Sequence, residues 1–128
     1  MREIKNLETI KFKYVRKDSI KSLKNVVNTD GLDLVCIRTY AAGVFIGYLN
    51  EIEDTYSGRV VSLLKARRLW KWDGAASLSQ LAMEGVKKPE NCKFSMEVSE
   101  VTLVNVVEML PVTEEAKNSI DFVEVWSE

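Results

Sequence analysis

No histidine occurs anywhere in the chain. That absence removes the usual proton shuttle near neutral pH, and with it any Ser–His or Cys–His nucleophile pair. The two cysteines, Cys36 and Cys92, stand far apart, so the closely spaced soft ligands of a zinc site are missing as well. In a reducing compartment their expected state is two buried, reduced thiols. Neither G-x-G-x-x-G nor G-x-x-x-x-G-K-[ST] is present, so there is no Gly-rich phosphate loop to read. No apolar run approaches the ~20 residues that span a bilayer. Met1 to Tyr14 is charged throughout and lacks the apolar centre of a signal peptide, so a cytoplasmic location is expected. An excess of one charge sign is lacking too. The formal net charge is −1, which gives no overall field toward DNA or an anionic membrane. Any anion site must be a local concentration of Lys and Arg. Together these absences favour a binding protein over an enzyme, with no metal and no cofactor. Carboxylate acid–base chemistry and Ser–Lys pairs stay open in principle.

What is present is an ordinary globular composition, 46% hydrophobic and 29% charged over 128 residues, enough for one core and too little for two. Residues 1–30 read as an N-terminal arm with a short helix, and residues 31–128 as a single α+β ligand-binding domain. In the arm, Ile10–Val15 is an edge strand or a loosely held extension. Asp18 to Val27 carries Ile20, Leu23, Val26 and Val27 at helical spacing. Asn28-Thr29-Asp30-Gly31 is a stop and a turn. Leu32–Tyr40 and Val44–Ile52 are β-rich runs joined by Ala41-Ala42-Gly43, which predicts a hairpin, and Gly47 within it marks a bulge or a close backbone approach. Arg59–Leu64 is a third strand that can continue through Trp72. Ala75–Glu84 is a short helix with a Ser77-Leu78-Ser79-Gln80 capping box, a Gly85 cap and Pro89 beyond it. Cys92–Val98 and Glu100–Leu110 are expected strands, the second central in the sheet because it is nearly continuous in apolar residues. Thr113-Glu114-Glu115-Ala116 opens a second helix, and Phe122–Trp126 is a last extended segment. The predicted architecture is a mainly antiparallel sheet with two or three short helices packed on one face or end.

Chemistry concentrates between Leu64 and Ser77, which holds four of the 18 basic residues and two of the three tryptophans. If this stretch is extended, Arg68, Trp70 and Trp72 share one face, and Lys65, Arg67, Leu69 and Lys71 share the other. A guanidinium beside indole rings can hold a phosphate while a base stacks on the ring, and stacking contributes roughly 1–3 kcal/mol per base. A helix start follows directly. Gly74 and Ala75 allow close approach, free backbone amides attract anions, and Ser77 and Ser79 offer hydroxyl donors. The structural alternative stands beside this: tryptophans at strand period bury in a core, an arginine covers one of them, and Ser77 with Gln80 merely caps. Arg38, which shares a face with Tyr40, is a pocket contributor or part of a solvated strand face. Asn91 either contacts a base edge or holds a turn. Glu97, Glu100 and Glu108 form no obvious catalytic pair. Trp126 packs on the sheet or on a second subunit.

The run Ala66-Arg67-Arg68-Leu69-Trp70 through Trp72, then Gly74 to Ala82 and Gly85-Val86, resembles a family of small bacteriophage and prophage proteins. Arg38-Thr39-Tyr40, Ala42 to Phe45, Cys92-Lys93-Phe94, Thr113-Glu114 with Ala116, and Val125-Trp126 share the likeness, which covers roughly residues 32–126. The family it looks like is the first type of Thoeris anti-defence protein. That resemblance implies a sponge that binds, without cleaving, cyclic ADP-ribose isomers made by TIR-domain enzymes, and in some members cyclic oligonucleotides of CBASS immunity. It also implies a homo-oligomer, dimer or hexamer, in the cytoplasm of an infected or lysogenic bacterium. The expected ligand-binding residues are Arg67, Arg68, Trp70, Trp72, Gly74, Ala75, Ser77 and Ser79, with Arg38 and Asn91. The alternative is a protein-interaction or virion accessory module that uses the Arg/Trp strand as its interface.

Overall fold

A computed structural model describes residues 25–127. Within them the chain runs through strands β1 (Leu34–Thr39), β2 (Val44–Thr55) and β3 (Gly58–Lys71), helix α1 (Leu78–Glu84), a single 3-10 turn (Pro89–Asn91), strands β4 (Lys93–Phe94), β5 (Val98–Leu103) and β6 (Val106–Pro111), and helix α2 (Glu114–Asp121). Every strand pairing is antiparallel. The order is β4-β3-β2-β1-β6, with β5 on the same edge of β3 as β4, further along the strand. This is the α+β arrangement expected from the order of elements.

The two ends of the sheet, β5 and β6, are consecutive in the chain and separated only by Val104 and Asn105. The sheet must therefore coil until its edges nearly meet. Asn105 marks the closure. Its carbonyl accepts from the Tyr40 amide at 3.0 Å, and its side chain lies against Gly58 at the tip of the β2–β3 hairpin. Coiling divides the apolar residues into two clusters. The concave interior holds Val35, Ile37, Phe45, Leu49, Val61, Leu63 and Leu103. The convex face carries Leu34, Cys36, Ile46, Leu69 and Phe94, and both helices cover it with Leu81, Ala82, Ala116 and Ile120. Because β1 and the start of β2 are covered on both sides, their sequences are unbroken apolar runs rather than alternating ones. Cys36 and Cys92 are both buried free thiols, and burial pushes Cys36 up to about 12.

Local signals are met closely where they concern turns and caps. The Asn28 side chain accepts from the amides of Asp30 and Leu32, each at 2.9 Å. Ser77 Oγ accepts from the Gln80 amide at 3.1 Å, while Gln80 Oε1 reaches back to the Ala76 amide at 2.8 Å. The Gly85 amide donates to Leu81 at φ 80°, ending α1. Thr113 caps α2, with Glu114 and Glu115 in its first turn. At Gly47 the ladder shifts register, and a Cβ would sit 3.0 Å from Leu63 Cβ, so bulge and close approach coincide there.

Longer-range expectations need correction. The run expected as one central strand, Glu100–Leu110, is two strands at the sheet's ends, broken where Asn105 takes φ 54°. Cys92–Val98 is not one strand: Lys93 and Phe94 form the short β4, and Val98 already opens β5. Phe122–Trp126 contributes a single parallel bridge, Phe94 to Val125. Asn25 and Val27, the end of the expected arm helix, lie instead in isolated bridges to Thr113 and Asp33. Residues 18–24 of that helix and residues 10–15 lie outside the described residues. No helix among the described residues is long and apolar enough to cross a membrane.

Gly74 links β3 to α1 with φ 91°, and a Cβ there would collide with the Lys87 backbone. A Gly74→Ala variant is expected to lose at least ~1–3 kcal/mol of stability from strain alone. Urea unfolding followed by circular dichroism measures this, and an unchanged midpoint would count against the packing described.

Candidate functional site

Two bulges in β3 decide where its charged and aromatic side chains go. The first is at Lys65, with φ 52°, where three residues of β3 span two of β2. Beyond it, Arg67 and Leu69 face the helices, while Ala66, Arg68 and Trp70 face the concave side. The second lies between Leu69 and Lys71, which pair with the adjacent residues Phe94 and Lys93. This extra residue advances the alternation by one, so Lys71 stays on the side of Trp70 and Trp72 turns to the helices. Trp72 accordingly packs against the convex core, as does Ala75. The expectation that Trp72 shares a face with Arg68 and Trp70 is thus corrected, and so is the placing of Lys71 with Arg67.

The paired arginines point to opposite sides. Arg67 ties the end of α2 to the sheet: Nε donates to Ser95 O at 2.8 Å, Nη1 to Ile120 O at 3.3 Å and Nη2 to Val123 O at 3.2 Å. Its guanidinium also lies 5.3 Å from the Phe94 ring centroid. Burial lowers its pKa from the ordinary arginine value, with Asp121 and Glu97 acting in the opposite direction. Arg68 lies over Phe45, 4.7 Å from the ring centroid, at the mouth of the concave interior. Its Nε is buried, with no hydrogen-bond partner among the described residues. An unmade hydrogen bond of this kind costs about 1–3 kcal/mol, more for a charged group.

Beside Arg68, Trp70 is 51% exposed and meets Trp126, 43% exposed, edge to face at 5.7 Å. Trp126 arrives from the far end of the chain because its amide donates to Phe94 O at 3.0 Å. Lys93 Nζ sits 5.0 Å from the Trp126 ring centroid. Lys93 is directly opposite Lys71 across the ladder, a like-charge pairing that is unfavourable without a counter-ion. Arg68, Lys71 and Lys93 make no ion pair among the described residues. The result is a surface of two half-exposed indoles ringed by three unneutralised cations.

The other residues named from the sequence do not join it. Gly74 packs on Lys87, and Ser77 and Gln80 form the cap of α1, whose start lies on the helix side of the sheet. Ser79 is exposed on that first turn. Arg38 pairs with Glu108 at 3.0 Å on the β1–β6 ladder, and Asn91 donates to Asp73 at 3.0 Å, holding the turn before β4. Sequence reasoning missed Lys93 as a site residue and expected Trp126 to pack on the sheet or on a second subunit rather than to join the site. Their only signal is the Phe94–Val125 bridge, which joins positions thirty-one residues apart. Among the described residues no group of His, Cys, Asp or Glu is placed to hold a metal ion.

Residues 32–120 match the model of DUF6948, a domain of unknown function. No curated protein and no solved structure matches the chain. The match spans the strands, both helices and all of the Arg/Trp segment, so the chain belongs to the DUF6948 family.

Proposed function

We propose that this chain is a non-catalytic binding protein that sequesters a cyclic nucleotide signal, a cyclic ADP-ribose isomer or a cyclic oligonucleotide, on the Arg68–Trp70–Trp126–Lys93 surface. The observation that carries this reading is Arg68, whose buried Nε has no hydrogen-bond partner and whose charge has no acid partner among the described residues, next to two half-exposed indoles. A base stacks on Trp70 or Trp126, and phosphates bind Arg68 and the Lys71–Lys93 pair. A bound anion would supply the counter-charge that the two opposed lysines lack. The resemblance to Thoeris anti-defence proteins points the same way. The surface is open, so burying a ligand on it needs a cover, and a second copy of the chain is the simplest one.

Thermal-shift measurements with a panel of cyclic nucleotides test this. A ligand at 100 times its Kd adds about 2.7 kcal/mol, which for a domain of this size raises the melting temperature by roughly 10 °C. The ligand should be recovered intact after the complex is heated. No shift with any member of the panel would contradict the proposal, and recovery of a cleaved product would contradict its non-catalytic part. The second reading, a protein-interaction module, is favoured by the exposed Val125 next to Trp126. It leaves nucleotides without effect, while Trp70→Ala abolishes capture of a protein partner.

A further inference from the structure

Arg67 faces away from the tryptophan surface, into a cavity of about 310 Å³ between the convex side of the sheet and α2. We infer that this cavity is a separate binding site for a small organic carboxylate with an apolar body. Its floor is Leu34, Ile46 and Ile120, and Tyr48 stands at its side. A neighbouring hollow of about 460 Å³ shares Tyr48 and Lys117 as lining residues. The volume lies within the range of small-molecule sites, and the mixture of apolar floor and a few polar groups is what such sites carry.

The charges select the ligand. Arg67, Lys65 and Lys117 line the cavity together with Glu97 and Asp121. Lys117 is already paired with Asp121 at 2.6 Å. Arg67 bonds only to backbone carbonyls, so its half-buried charge has no carboxylate partner among the described residues. Lys65 is turned to the same side by the bulge and has none either. Two cations against Glu97 leave one positive charge, which suits a monoanion. Glu97 opposes a phosphate dianion at the same place, and the apolar floor gives a bare inorganic ion nothing to cover. This inference does not depend on the tryptophan surface, which lies across the sheet.

The probes are benzoate, its neutral isostere benzamide, and inorganic phosphate, each titrated into the full chain and followed by nuclear magnetic resonance. The expected result is saturable movement of the Ile46 and Ile120 methyl signals with benzoate, at least tenfold weaker with benzamide and absent with phosphate. The indole N–H signals of Trp70 and Trp126 stay still. Lys65→Gln, a surface change, is expected to weaken benzoate binding about tenfold, as loss of a charge-assisted contact does. Still isoleucine methyls, equal binding of benzamide, or an unaltered affinity in Lys65→Gln would each overturn the assignment.

Discussion

Phe94→Ala is expected to cost ~3–5 kcal/mol and to lower the melting temperature by on the order of 15 °C. Phe94 is the largest fully buried side chain among the described residues, and it sits in the convex core. More than packing depends on it. Its ring lies under the Arg67 guanidinium, and its strand partner Leu69 belongs to the same core. Its carbonyl holds the Trp126 amide, and its neighbour Lys93 covers the Trp126 ring. A cavity at Phe94 therefore loosens the end of α2 and the C-terminal segment together. Differential scanning calorimetry gives the stability loss. A decrease under 1 kcal/mol would show that the convex core does not depend on this residue as described.

Arg68→Met is expected to leave stability within about 1 kcal/mol and to weaken nucleotide binding at least tenfold. The methionine keeps an aliphatic cover over Phe45 while removing a buried nitrogen with no hydrogen-bond partner among the described residues. Losing an unsatisfied donor offsets losing the cation–π contact, so the fold is nearly indifferent to the change. The proposed binding is not, because a phosphate on this surface would lose its two-pronged partner. That separation of stability from affinity is the mark of a group kept for a ligand rather than for folding. Urea midpoints and calorimetric titration, run on the same preparations, give both quantities. A large loss of stability with unchanged affinity would make Arg68 a structural residue.

The features legible in the sequence are those whose causes are local. The Asn28 turn, the Ser77–Gln80 capping box and the Thr113 cap each depend on a side chain reaching an amide a few residues away, so the residue type at one position is enough to read them. The β1–β2 hairpin is legible for the same reason. The face assignment holds for Arg67 and Arg68 and fails for Lys71 and Trp72, because the bulge that turns them arises from pairing with β4, and no property of Leu69-Trp70-Lys71 announces it. The break between β5 and β6 is hidden in the unbroken run Val101 to Leu110, where only Asn105 departs from a strand pattern. Lys93 and Trp126 join Trp70 through a bridge between distant segments. The cavity is assembled from β1, β2, β3 and α2, and no stretch of sequence holds enough of it to be seen.

The most direct test of the proposed binding surface is intrinsic tryptophan fluorescence during titration with cyclic ADP-ribose isomers and cyclic oligonucleotides. Trp70 and Trp126 are half exposed, whereas Trp72 is partly buried against the convex core and serves as an internal reference. The expected result is saturable quenching in the native chain, with the apparent affinity reduced about 5- to 150-fold in Trp70→Ala, the range that the loss of one stacked base implies. Emission that stays constant across the whole titration with every ligand, or quenching of the same strength in Trp70→Ala, would contradict it.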